Sequence, residues 1–69
     1  MKPDPLLDHI YNTVNAESAD ILQTAGEWAY SFPGITKAKV RGRLDKLAKA
    51  GRIRVIEHRG NVKYYGPIK

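Results

Sequence analysis

Val40, Leu44 and Leu47 recur at helical spacing through TKAKVRGRLDKLAKAGRI, residues 36–53, and Gly51 then ends the pattern. This run constrains the chain more than any other, because a second period crosses it. Lys37, Lys39, Arg41 and Arg43 fall on every second residue, as one face of a strand would. Thr36 suits an N-cap and Gly51 a C-cap. Between them lie mostly Ala, Leu, Lys and Arg, all good helix formers, with Val40 the one β-branched residue. The helical period therefore governs, and a helix is expected over 36–50. With residues about 100° apart on the helix, Val40, Leu44 and Leu47 lie within about 60° of one another. The opposite side centres on Ala38, Gly42 and Lys49. Lys39, Arg43 and Lys46 flank it on one edge; Lys37, Arg41 and Asp45 flank it on the other. Such an element has an apolar spine and a small-residue back edged by cations. That back can press close to something negatively charged.

The rest of the chain must supply a partner for the spine. With 69 residues, one domain over 1–69 is expected, with a core of marginal size. The absence of cysteine excludes a disulfide framework and any thiolate metal site, and it suits a reducing compartment. Residues 1–15 lack the basic start and continuous apolar run of a signal peptide. No apolar run approaches the roughly 20 residues of a membrane span. A cytoplasmic protein without a membrane partner is expected, nucleoid-associated if bacterial. The net charge of +5 is unevenly placed. Residues 1–34 hold Lys2 against Asp4, Asp8, Glu17, Asp20 and Glu27, a net of −4. Residues 35–69 hold eleven cations against Asp45 and Glu57, a net of +9. A split this large points to a basic half that meets a polyanion. The plainer alternative is a solvated basic surface.

PDPLLDHIYNTVN reads as a first helix. Asp4 caps it, Pro5 sits at its first position, and Leu6, Leu7, Ile10, Tyr11 and Val14 form a core stripe. AESADILQ reads either as a short helix or as a loop into a brief strand at 21–23. TAGEWAYSF reads as a second helix. Thr24 and Glu27 have capping-box spacing, and Ala25, Trp28, Ala29 and Phe32 face the core. Pro33-Gly34 breaks the chain. RIRVIEHRGNVKYYGPI reads as a β-hairpin over 52–66 turning at HRGN. A four-residue loop would set Val55 opposite Tyr64; a two-residue loop would set Ile56 opposite Tyr65. Asp45 and Lys49, four apart, can pair on the helix surface.

Helix, brief strand, helix, tight turn, helix and hairpin is an order that resembles the winged helix-turn-helix superfamily. Glu27-x-Ala29 is similar to its second-helix pattern. Val40-x3-Leu44-x2-Leu47-x3-Gly51-x-Ile53 is similar to a recognition helix running into a wing, and Asn61-x2-Tyr64 to the returning wing strand. Small bacterial, phage and plasmid regulators are the nearest in appearance. The turn Phe32-Pro33-Gly34-Ile35 is bulkier than the short polar-glycine turn usual there. The resemblance implies an α+β winged helix-turn-helix domain, three helices followed by a C-terminal β-hairpin wing. It also implies a transcriptional regulator that binds double-stranded DNA through the helix over 36–50.

On that resemblance, Ala38 and Gly42 let the helix seat deeply in the major groove. Arg41 and Arg43 are the candidates for bidentate contact with guanine. Lys37 and Lys39 reach phosphates, as do Thr36 and the free N–H groups of the first turn. The wing adds Arg59 at its tip, for the minor groove, with Lys63 and Arg54 along the backbone. Lys46, Lys49 and Arg52 come late in the helix, where cations suit the C-terminal dipole end. A domain this small covers few base pairs, so a homodimer or a head-to-tail array is implied, with Asp4, Asp8 or Asp20 meeting a neighbour's basic half. Two other functions remain open. One is a protein-interaction module with Ile56, Tyr65 and Ile68 exposed on the hairpin; the other is an RNA or structure-specific nucleic-acid binder. An enzyme is not expected. His9 and His58 lie far apart, no HExxH spacing occurs, and no glycine-rich loop follows a strand. No cofactor or metal is called for.

Overall fold

Asp4 and Pro5 begin the first helix as their chemistry dictates. The structure, a computed structural model, describes residues 4–57, 60 and 62–68. Asp4 Oδ1 accepts from the Leu6 and Leu7 N–H groups at 3.1 and 3.2 Å. Pro5 opens α1 (Pro5–Asn15), at a position where an N–H would have no helical partner. Ile10 and Val14 are fully buried along one side of α1, with Leu6, Leu7 and Tyr11 packed against the same core.

β1 (Gln23–Thr24) is brief, and Thr24 both ends it and caps α2 (Ala25–Trp28). Its Oγ1 accepts from the Glu27 N–H at 3.2 Å, and Glu27 Oε1 accepts from the Thr24 N–H at 3.0 Å. The second helix is shorter than its apolar pattern. After Trp28 the chain tightens into a 3-10 turn, Ala29–Ser31. Phe32 then leaves helical geometry at φ −129°, ψ 67°, because the ring of Pro33 disfavours the α region for the residue before it. Ala25, Trp28 and Phe32 are buried all the same.

α3 (Lys37–Lys49) carries the buried residues Val40, Leu44 and Leu47. Its end is set by Gly51, whose φ of +73° suits a residue without Cβ. The Gly51 and Arg52 N–H groups donate to the Ala48 and Leu47 carbonyls at 3.0 and 2.9 Å, closing the last turn with paired bonds.

β2 (Arg54–Glu57) and β3 (Lys63–Gly66) form the hairpin. β1 pairs antiparallel with the other side of β3, giving the order β1-β3-β2. Among the described residues the architecture is α+β, three helices and one three-stranded antiparallel sheet. Neither expected hairpin register forms. Val55 lies opposite Tyr65, Ile56 opposite Tyr64 and Glu57 opposite Lys63. Burial explains the choice. Ile53 and Tyr65 are 2% and 1% exposed, so they must share the inner face. Either expected register would put them on opposite faces, since side chains alternate along a strand. Tyr65 is further held by its carbonyl, which accepts from Trp28 Nε1–H at 2.8 Å. Its burial also removes it from the apolar patch expected with Ile56 and Ile68 on the outer face. Arg59, with His58 and Asn61, lies outside the described residues.

Candidate nucleic-acid interface

α3 is anchored from below and open from above. The spine of Val40, Leu44 and Leu47 packs into the core beneath it, next to α1 and α2. Thr36 Oγ1 accepts from the Lys39 N–H at 3.3 Å, so the helix starts where the sequence places its cap. On the opposite side Thr36, Lys37, Ala38, Lys39, Arg41 and Gly42 are all exposed. A Cβ built on Gly42 would meet nothing within 4 Å. The surface there is a shallow groove bordered by Lys37, Ala38, Arg41, Gly42 and Asp45.

The two charged edges of α3 face different neighbours. Arg43 turns toward α1, where its Nε donates to Asp4 Oδ2 at 3.2 Å. Asp4 thus caps α1 with one oxygen and pairs with α3 through the other. The Leu7 N–H, with Arg43 assisting, holds the Asp4 carboxyl below the ordinary carboxylate value, against the opposing effect of partial burial. The other edge faces the hairpin. Asp45 accepts a short hydrogen bond from the Tyr65 hydroxyl, and Lys63 Nζ stands 4.0 Å from the same carboxylate oxygen. Burial, reinforced by the Asp45 bond and charge, raises the Tyr65 hydroxyl well above its ordinary value. The surface pair expected between Asp45 and Lys49 does not form, because Asp45 is drawn toward Tyr65 and Lys63.

The structure therefore gathers Thr36, Lys37, Lys39, Arg41 and Gly42 on one exposed face, with Lys63 beside it across the edge that carries Asp45. It sets two candidates apart. Arg43 is half-buried in its pair with Asp4. Arg54 lies on the sheet face opposite Val55 and Tyr65 and donates through Nη2 to the Ala19 carbonyl at 2.9 Å. Sequence reasoning missed the Tyr65–Asp45–Lys63 cluster. A signal was present: a strand tyrosine that faces the core needs a partner for its hydroxyl, and Asp45 is the one acid within α3.

Among the described residues no group of three or more His, Asp or Glu side chains is placed to hold a metal, and no helix is long and apolar enough to cross a membrane. What the exposed face of α3 offers chemically is fixed positive charge around a strip with no bulky side chains. Comparison with protein-family models, with curated proteins and with solved structures finds no match to this chain.

Proposed function

We propose that the chain is a DNA-binding protein of winged helix-turn-helix type, acting as a transcriptional regulator. α3 enters the major groove, and the β2–β3 hairpin touches the backbone or the minor groove. The observation that carries this reading is the exposed strip of Ala38 and Gly42 with Lys37 and Arg41 on one side and Lys39 on the other. A helix approaches base edges closely only where its side chains are small, and it is held there by cations on the phosphates.

Within that reading, Arg41 is the guanine reader, because it borders the groove over Gly42. Lys37, Lys39 and the N–H groups after Thr36 take phosphates. Arg43 acts chiefly by tying α3 to Asp4, and Arg59, outside the described residues, remains a further candidate for DNA contact. Asp4 has an internal use in its pair with Arg43, so in a homodimer or head-to-tail array on DNA the exposed Asp8 or Asp20 meets a neighbour's basic half. The protein-interaction reading loses Tyr65, which is buried, and keeps Ile56 and Ile68, which are exposed.

Amide shifts in an isotope-labelled sample titrated with duplex DNA test the proposal. The expected changes centre on residues 36–43 and on Lys63. Changes confined to α1 or to the sheet face bearing Arg54 and Ile56 would refute it, and stronger binding to an RNA duplex of the same sequence would redirect it.

A further inference from the structure

α2, α3 and β3 meet around a cleft of about 340 Å3. Gly26 borders it from α2, Lys37 and Arg41 from α3, and Lys63 and Tyr65 from β3. Among the described residues no carboxylate lines it. Lys37 and Arg41 have no ion-pair partner among the described residues, and Lys63 meets Asp45 only at 4.0 Å. Three cations converge here, and among the described residues one carboxylate, Asp45, offsets part of that charge from 4.0 Å beyond Lys63; the remaining positive charge favours an anion that fills the cleft. Gly26 helps to shape the site. A Cβ there would come within 3.2 Å of Lys37 Cε and 3.3 Å of its Nζ. The Lys37 arm therefore lies along the cleft wall in space that another residue would contest. Thr24 also borders the cleft, but its hydroxyl is committed to Glu27.

Lys37 and Arg41 border this cleft and also the open groove over Ala38 and Gly42. Through Lys37 and Arg41 the two depressions form one track from the top of α3 to the hairpin, carrying Lys37, Arg41 and Lys63 and bordered by one acid, Asp45. A track suits an extended polyanion better than a single carboxylate. We propose that the cleft seats one phosphodiester group of a nucleic-acid strand passing between α3 and the hairpin. Lys37 and Lys63 hold that one phosphate jointly, from two different elements, with Arg41 adjacent. The proposal rests on the DNA-binding reading and specifies where one strand must run.

Joint holding has a measurable signature. The slope of log affinity against log salt falls by about 0.9 for each phosphate no longer neutralised on a B-form duplex. Fluorescence anisotropy of a labelled duplex over a salt series is measured for the wild type, Lys37→Gln, Lys63→Gln, the double variant and Lys49→Gln. Lys37, Lys49 and Lys63 are exposed, and thermal melts check that all variants remain folded. The expected result is a slope loss of about 0.9 in the double variant, one phosphate in total, with each single variant losing no more than that and Lys49→Gln losing none. A double-variant loss of about 1.8, two separate phosphates, overturns the shared seat while leaving DNA binding intact. So does no loss at all, or an equal loss in Lys49→Gln. A wild type that does not bind duplex at low salt overturns both the DNA reading and the seat. Lys63-dependent binding of polyglutamate in place of DNA would make the cleft an acidic-peptide site and overturn the phosphate assignment.

Discussion

Replacing Gly42 by alanine separates the stability of α3 from its use. Gly42 lies in the interior of α3, and the added methyl group would meet nothing within 4 Å. No packing penalty therefore offsets the gain in helix propensity, about 1 kcal/mol for glycine to alanine in a helix interior. For a domain of this size that gain raises Tm by about 4–8 °C. On DNA the same methyl group projects from the strip that the proposal places against the groove. Overpacking at a close-fitting surface costs about 1–3 kcal/mol, so affinity is expected to fall about tenfold or more, since tenfold is about 1.4 kcal/mol. Circular dichroism melts and anisotropy titrations on one preparation give both numbers. A higher Tm with unchanged affinity would refute close seating of this face. A lower Tm would refute the exposed helical setting of Gly42 itself.

Other perturbations test the contacts that position α3. Tyr65→Phe removes the hydroxyl bond to Asp45, which remains partly hydrated, and should cost about 1 kcal/mol, seen as a Tm fall of about 4–8 °C; no fall would show that the bond is idle. Because the folded Tyr65 hydroxyl is raised, its contribution to stability is full below the ordinary value of 10.0 and is lost as pH climbs above it; tyrosinate absorbance should show one tyrosine that ionises only as the chain unfolds. Asp4 is shifted the other way, so its contribution is full above the ordinary 3.8 and is lost as pH falls through the lowered folded value. Asp4→Asn keeps a capping side chain but should flatten that part of the acid limb of a Tm–pH profile, and identical limbs would contradict the lowered Asp4 value that the Leu7 N–H and Arg43 produce. Gly66→Ala would drive a Cβ into the Ile21 carbonyl oxygen. It should therefore destabilise by about 1–3 kcal/mol in urea melts followed by the fluorescence of Trp28, the single tryptophan.

What was legible in the sequence was local. The caps at Asp4, Thr24, Thr36 and Gly51 act within a few residues of themselves, and each does what its type and spacing suggest. The apolar stripes of α1 and α3 were legible because helical periodicity is itself a local property. The hairpin register was not. Val55 and Ile56 are both apolar, so neither face announces itself, and the decision falls to Ile53 and Tyr65 packing into a core built by distant elements. The edges of α3 show the same limit. A helical wheel lists Arg41 and Arg43 as equals, yet Asp4, 39 residues away, takes Arg43, while the hairpin side keeps Arg41 open. The early end of α2 had a readable cause in Pro33, whose effect on Phe32 outweighed the apolar pattern.

Anisotropy of a labelled random-sequence duplex at low and at physiological salt tests the proposal that the exposed face of α3 binds duplex DNA. Binding is expected at low salt and should weaken as salt rises, with a slope of log affinity against log salt of about −0.9 for each phosphate neutralised, and Arg41→Glu should weaken it further. Absence of binding at low salt, or binding that neither salt nor Arg41→Glu changes, would refute the α3 interface.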